Sequence, residues 1–261
     1  MSSPLLPALR DERRAVLTFC GDLTEADLAA TSAAPGWSVA DVLVHVTTIT
    51  RAVITPASVP YMTTRNVEAL NEQLVGERRA HGPGYTVDEF ATWSRRTAKA
   101  LTALTMPGLR LVRVPLGELG WYPSSLIPAI LLFEWHTHLR YDIAAALDRP
   151  TPATDARRMA ALLSWLTAQL ERSHREALGW LDAVVALTLR GPGGGTWRLD
   201  PRDGRLRMRP GEAAGATTHI AARSLEFPQW STRRVPWRAC EVTITGDAEV
   251  GTRVLDSINL L

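Results

Sequence analysis

From the first residues to about position 178, apolar side chains recur at helical spacing. Leu9, Val16, Leu17 and Cys20 form one stripe, and Val42, Val46 and Ile49 form another. The pattern predicts helices over residues 4–20, 38–55, 87–106, 124–147 and 153–178, with a shorter one from Asn66 to Arg79 that the breaker cluster His81-Gly-Pro-Gly84 stops. The second helix has a readable start. Ser38 can cap it, and Asp41, three positions on, can reach back to the free backbone amide in a variant of the capping box. Past residue 180 the texture changes to alternation. Val185, Leu187 and Leu189 precede Gly191-Pro-Gly-Gly-Gly195, and Trp197 and Leu199 precede a turn at Asp203-Gly204 that introduces Leu206 and Met208. These are marks of consecutive antiparallel strands. A later strand, Cys240 to Thr245, leads through Gly246-Asp247 into a closing helix, Ala248 to Leu255, with Asp247 as its cap. The expected fold class is α+β: a helical domain over residues 1–178, then a small α+β domain over 179–261. No Lys-Ser/Thr pair follows the glycine cluster, and it leads into a strand instead of a helix, so it reads as a hairpin turn and not a phosphate cradle.

Composition narrows the classes. The 261 residues are 46% apolar and 21% charged with a net charge of +2, values of a globular protein able to bury a sizeable core. The pI near 8.8 reflects dispersed arginines without a run of like charge, so nucleic acid is not implied. Two distant cysteines, Cys20 and Cys240, argue against a disulfide framework and for a reduced, cytoplasmic setting. The N-terminal charges follow a very short apolar stretch, the wrong order for a signal peptide. Leu126 to Phe133 is interrupted by Pro128 and runs into Glu134, far short of the ~20 residues that cross a bilayer, so no membrane span is expected.

The candidate chemistry lies on two helices. Glu134 and His138, four residues apart, project from one helical face and can chelate a single ion. His45, two turns into the second helix, sits beside the buried positions Val42, Val46 and Ile49. Two histidines and one carboxylate leave a divalent metal with an open coordination position, the arrangement of catalytic sites. Plainer readings stand beside this one: His45 as a satisfied core residue, and Glu134 with His138 as an ordinary polar pair. The apolar run before Glu134 places its helix centrally, where an unpartnered carboxylate would be costly. Asp142, a further turn along, can accept from the His138 ring nitrogen that faces away from the metal. His136 points elsewhere and is the reserve ligand.

Three segments carry a resemblance. They are Pro35-Gly-Trp-Ser-Val-Ala-Asp-Val-Leu-Val-His45, the Glu134/His138 pair with Asp142-Ile143 following, and the stretches 185–197 and 242–247. Together they resemble the mycothiol-dependent maleylpyruvate isomerase family, whose N-terminal domain belongs to the DinB-like metal-binding four-helix bundles and whose C-terminal domain is sterol-carrier-like. The resemblance implies that His45, Glu134 and His138 hold a divalent metal, usually zinc, and that mycothiol is the cosubstrate. Two departures stand out. The family's acidic residue falls three positions after the second histidine, whereas Asp142 is four after His138, and the family's Trp-Gly-Arg is replaced by Trp230-Ser-Thr-Arg233. The implied function is a metal- and mycothiol-dependent isomerase or S-transferase in which a thiolate adds to an electrophilic small metabolite. Arg233 and Arg234 are candidates for an anionic substrate group, with Trp37 and Trp230 lining the pocket. The competing readings are a thiol-independent metal-dependent hydrolase or lyase and a non-enzymatic small-molecule-binding protein. The expected partner is a small molecule, with no nucleic acid and no membrane, and the protein working as a monomer or homodimer.

Overall fold

The computed structural model describes residues 5–80, 82–104, 108, 112–174, 177–202, 205–211 and 214–260. In the first of two units, Met1–Ala153, helix α1 (Leu5–Cys20) turns Leu9, Val16 and Cys20 inward as anticipated and leaves Leu17 half-buried. After the short α2 (Glu25–Ala29), helix α3 (Val39–Ala52) begins at the predicted capping box. The Ser38 hydroxyl accepts from the Asp41 amide at 3.1 Å, and the Asp41 carboxylate accepts from the Ser38 amide at 2.9 Å. Then follow α4 (Ser58–Thr63), α5 (Val67–Arg79) and α6 (Thr86–Leu104). An antiparallel hairpin of β1 (Arg113–Pro115) and β2 (Trp121–Pro123) leads to α7 (Ile127–Thr137).

Helices α1, α3, α6 and α7 pack in a ring, α1 against α6 and α7, and α3 against the same two, which makes a four-helix bundle. Its interior is cross-tied by polar groups. The Trp135 indole donates to the Thr50 hydroxyl at 2.9 Å, and the Thr97 hydroxyl donates to the Thr50 carbonyl at 2.9 Å, joining α3, α6 and α7. α7 does not run on as regular helix to 147: over His138–Ala144 it winds as a π-helix, a form that recurs at functional sites.

The second unit, Thr154–Leu261, contains α8 (Ala156–Ser173). The sequence reading counted this helix with the helical domain and set its boundary at 178; by contacts α8 groups with the second unit. α8 packs on β5, Glu171 accepts from the Met208 amide at 2.9 Å, and the hairpin turn presses on the start of α8. The turn needs glycine there. Gly193 has φ 65°, and a Cβ would stand 2.3 Å from the Ala160 nitrogen.

The sheet comprises β3 (Val185–Arg190), β4 (Gly195–Arg202), β5 (Arg205–Pro210), β6 (Thr218–Arg223) and β7 (Val242–Gly246), in the order β5-β4-β3-β6-β7. The expected antiparallel run β3-β4-β5 is present, with Leu187 opposite Trp197 and Val185 opposite Leu199. β6, which alternation did not reveal, pairs parallel to β3 in the middle of the sheet. Two short stretches complete the unit: α9 (Phe227–Ser231), and α10 (Ala248–Ser257), whose first amides donate to the Asp247 carboxylate. The Asp203-Gly204 turn and His81 lie outside the described residues. Among the described residues no helix is long and apolar enough to cross a membrane.

Candidate metal centre

α3 and α7 bring His45, Glu134 and His138 together. Glu134 Oε2 lies 3.4 Å from Nε2 of His45 and 3.4 Å from Nε2 of His138, and one ligand atom of each residue falls within 4.8 Å of the others. These separations are long for hydrogen bonds between nitrogen and carboxylate. The two nitrogen-to-oxygen separations match the edge of a tetrahedral site, since two atoms each 2.0–2.1 Å from a common cation stand about 3.4 Å apart. The side chains keep 5%, 17% and 11% exposure for His45, Glu134 and His138 respectively. The cluster is therefore largely shielded from bulk water, with Glu134 the most exposed of the three.

Asp142 stands where the sequence placed it. Its Oδ2 is 2.6 Å from Nδ1 of His138 and is nearly inaccessible. A carboxylate there accepts, which assigns the proton to Nδ1 and leaves Nε2 with a lone pair facing Glu134. Lone pairs facing across 3.4 Å call for a cation or a proton between them, so the donor set fits a divalent metal. The longer spacing from His138 to Asp142 goes with the π-helical winding, whose repeat carries about one more residue per turn.

Burial opposes the charge on Glu134, but His138 and His45 outweigh it and hold the carboxyl at about 2. Burial pushes the His45 imidazole below its ordinary range, against the opposing pull of Glu134. His45 and Glu134 therefore present unprotonated ligand atoms at neutral pH.

Around the cluster, Trp37 packs beside His45 with ring centroids 5.0 Å apart. Its indole donates to Glu72 at 2.6 Å, and Arg79 bridges Glu72, the Asp41 carboxylate and the Gly36 carbonyl, tying α5 to the start of α3. Below it, the buried Arg140 guanidinium pairs with Glu12 of α1 and donates to the Pro152 and Ala153 carbonyls, which pins the π-helical turn. His136, the reserve ligand, is fully buried outside the cluster, its ring 6.3 Å from that of Tyr141.

The remaining candidates, Trp230, Arg233 and Arg234, belong to the second unit. Trp230 is 2% exposed and meets Phe227 edge-on, a core position with no face for a ligand. Arg233 and Arg234 belong to the second unit and act as local struts: Arg233 donates to the Asp256 carbonyl at 2.7 Å and Arg234 to the Thr232 hydroxyl at 2.9 Å. Sequence reasoning passed over Glu72, Arg79, Arg140 and Tyr61. The last, on α4, carries a buried hydroxyl without a hydrogen-bond partner among the described residues. Burial first, and the charge of Glu134 second, push its phenol above the ordinary value.

Residues 9–144 match the family profile described as the mycothiol maleylpyruvate isomerase N-terminal domain, a span that holds the whole cluster. The chain belongs to this family. Two solved structures of the mycothiol-dependent maleylpyruvate isomerase share the fold. One is of a histidine-to-alanine mutant, with a TM-score of 0.59, and the other of the enzyme itself, with 0.58. Each is 16% identical in sequence, and each match covers 94% of this chain and 93% of the other. At that identity the likeness speaks for the fold, and it extends through both units. Comparison with curated proteins gave no match. For a member of the mycothiol maleylpyruvate isomerase family, the two cysteines of the chain matter by their unsuitability. Burial pushes the Cys20 thiol up to about 12, and burial with the Glu226 charge raises Cys240 as well. Neither is an activated nucleophile.

Proposed function

We propose that this protein is a thiol-dependent isomerase of a small electrophilic metabolite, with mycothiol as cosubstrate and zinc as the cation held by His45, Glu134 and His138. The observation that carries the reading is the convergence of two imidazole nitrogens on one carboxylate oxygen at tetrahedral-edge distance. A dication bound there supplies the positive charge that lets a thiol in the remaining position lose its proton near neutral pH. The residues do the rest. Asp142 fixes the His138 tautomer, Trp37 walls the His45 side, and the α5 network holds that wall. Since neither Cys20 nor Cys240 is activated, the sulfur comes from outside, as membership in this family suggests.

Addition of the sulfur to one carbon of a conjugated double bond turns that bond into a single bond, the adjacent carbon taking up the electron pair and a proton. Rotation and loss of the thiol with that proton regenerate the alkene in its other geometry, with no net oxidation. If the adduct were retained, the same site would perform S-transfer. We read the first unit as the DinB-like domain and the second as the sterol-carrier-like one, in a reducing, cytoplasmic setting. The test is metal analysis of the purified protein, His45→Ala and His138→Ala, with turnover of maleylpyruvate assayed with and without mycothiol. We expect stoichiometric zinc in the parent, its loss in both variants, and no turnover without the thiol. A parent without metal, or turnover that ignores the thiol, would overturn the reading.

A further inference from the structure

The two histidines of the cluster are aimed by different means. His138 is locked by a hydrogen bond, its Nδ1 lying 2.6 Å from the Asp142 carboxylate. Nδ1 of His45 is buried and has no hydrogen-bond partner among the described residues. A ligating imidazole whose second nitrogen is unheld keeps freedom about its side-chain torsions, and a cation must remove that freedom as it binds. Contact with other rings is what remains to orient His45. Among the described residues two rings meet it: His138 at a centroid distance of 4.8 Å, and Trp37 at 5.0 Å with the planes tilted by 52°. The first is a fellow ligand, so the support from outside the cluster falls to Trp37.

Trp37 is fastened at both ends. Its carbonyl accepts from the Ser32 amide and from the Ser32 hydroxyl, each at 2.9 Å, and its amide donates to the Ala34 carbonyl at 3.2 Å. The same loop is tied to the support of the other histidine, because the Ala33 amide donates to the Asp142 carbonyl at 2.9 Å. At the far end of the side chain, the indole N–H donates to Glu72 of α5 at 2.6 Å, a short bond to a charged acceptor. Arg79 steadies Glu72 in turn: it donates to the other carboxylate oxygen at 3.2 Å, to Asp41 at 3.1 Å and to the Gly36 carbonyl at 3.3 Å. Asp41 caps α3 one turn before His45. A continuous series of contacts thus runs from α5 through Trp37 to the His45 ring.

We propose that Glu72, steadied by Arg79, is a positioning residue for the metal: it holds the Trp37 indole against His45 and thereby aims the ligand that no hydrogen bond orients. The assignment rests on the proposed function, in which His45 is a ligand. The Glu72 and Arg79 side chains keep 57% and 41% exposure, and exposed ion pairs add little to stability. The network therefore matters to the metal far more than to the fold. Having to freeze one loosened side chain on binding corresponds to about three- to tenfold in affinity.

The experiment titrates Co2+ into the metal-free full chain and follows its visible absorption band, for the parent, Glu72→Ala, Glu72→Gln, Trp37→Phe and the Glu72→Ala/Trp37→Phe double variant. Melting of the metal-free proteins is measured alongside. Glu72→Ala and Trp37→Phe should each bind Co2+ about three- to tenfold more weakly. The double variant should bind no more weakly than the weaker single one, because both changes break the same link from indole to carboxylate. Glu72→Gln retains an acceptor oxygen and should stay closer to the parent than to Glu72→Ala, and all the metal-free proteins should melt within a few degrees of one another. Parental affinity in Glu72→Ala, or losses that multiply in the double variant, would overturn the positioning role and leave the metal site standing. So would equal losses in Glu72→Gln and Glu72→Ala, which would make the charge of Glu72 the active property. A melting temperature that falls along with the affinity would also overturn it, by marking the network as structural. A parent that binds no cobalt would overturn the assignment together with the function it rests on.

Discussion

Asp142 governs how His138 can serve as a ligand. Its 2.6 Å contact fixes the proton on Nδ1 and adds negative charge behind the ring, and partners of this kind are worth about 10- to 100-fold in metal affinity. Asp142→Asn should therefore weaken zinc binding by about that factor while the metal-free fold melts within a few degrees of the parent. Competition against a chromophoric chelator reads the affinity. By contrast, Nδ1 of His45 has no partner among the described residues, so His45 is the less supported ligand. How much of this was legible depended on chemistry that repeats along the chain. Glu134 and His138 were readable because helix geometry alone puts them on one face, and His45 because the Ser38 capping box fixes its register. Glu72 and Arg79 were not, since their importance lies in which distant group they meet. Trp230, expected at a pocket wall, packs against Phe227, and an aromatic residue reads alike in a core and in a pocket wall.

At the scale of elements, the decisive strut is the Arg140–Glu12 pair, which fastens the π-helical turn to α1 from a position with almost no solvent contact. Breaking a buried ion pair from one side leaves an uncompensated charge and costs about 3–5 kcal/mol, whereas replacing both partners with apolar groups is far milder. Arg140→Met should accordingly lower the urea midpoint of the metal-free protein steeply, and addition of Glu12→Leu should recover most of the loss. The long helices were readable because their apolar stripes span several turns. The π-helical winding was not, because periodicity over seven residues cannot separate it from an α-helix. β6 escaped for a different reason: its partner β3 is separated from it in the chain by β4 and β5, and the buried positions of Thr218–Arg223, Thr218, Ile220 and Ala222, give little apolar contrast with their neighbours.

For the molecule as a whole, each unit carries its own vulnerability. In the second, the last residues are fastened through His174, whose Nε2 accepts from the Asn259 amide at 2.8 Å, while the Leu260 amide donates to the Ser231 carbonyl at 2.7 Å. Burial, and then the Arg233 charge, lower the His174 imidazole from 6.5 to about 4. Because the unfolded chain takes up this proton first, the contribution to stability is complete above pH 6.5 and is lost as the pH falls toward 4. The loss should be on the order of 2 kcal/mol after allowing for partial solvent screening. Urea midpoints measured from pH 7 to 4 should fall in the parent and fall less in His174→Gln, which keeps an acceptor but cannot titrate.

The division of ligands between α3 and α7 also sets a timetable. Glu134 and His138 share a helix and can offer a cation two contacts as soon as that helix winds, but the third waits for α3 to dock across the bundle. If docking comes after the rate-limiting barrier of refolding, zinc has little to hold until that barrier is crossed. Stopped-flow measurements with and without zinc should then show nearly equal refolding rates and a much slower unfolding limb for the loaded protein. Such a cation would act as a late clasp, deciding how long the bundle stays shut and not how quickly it forms.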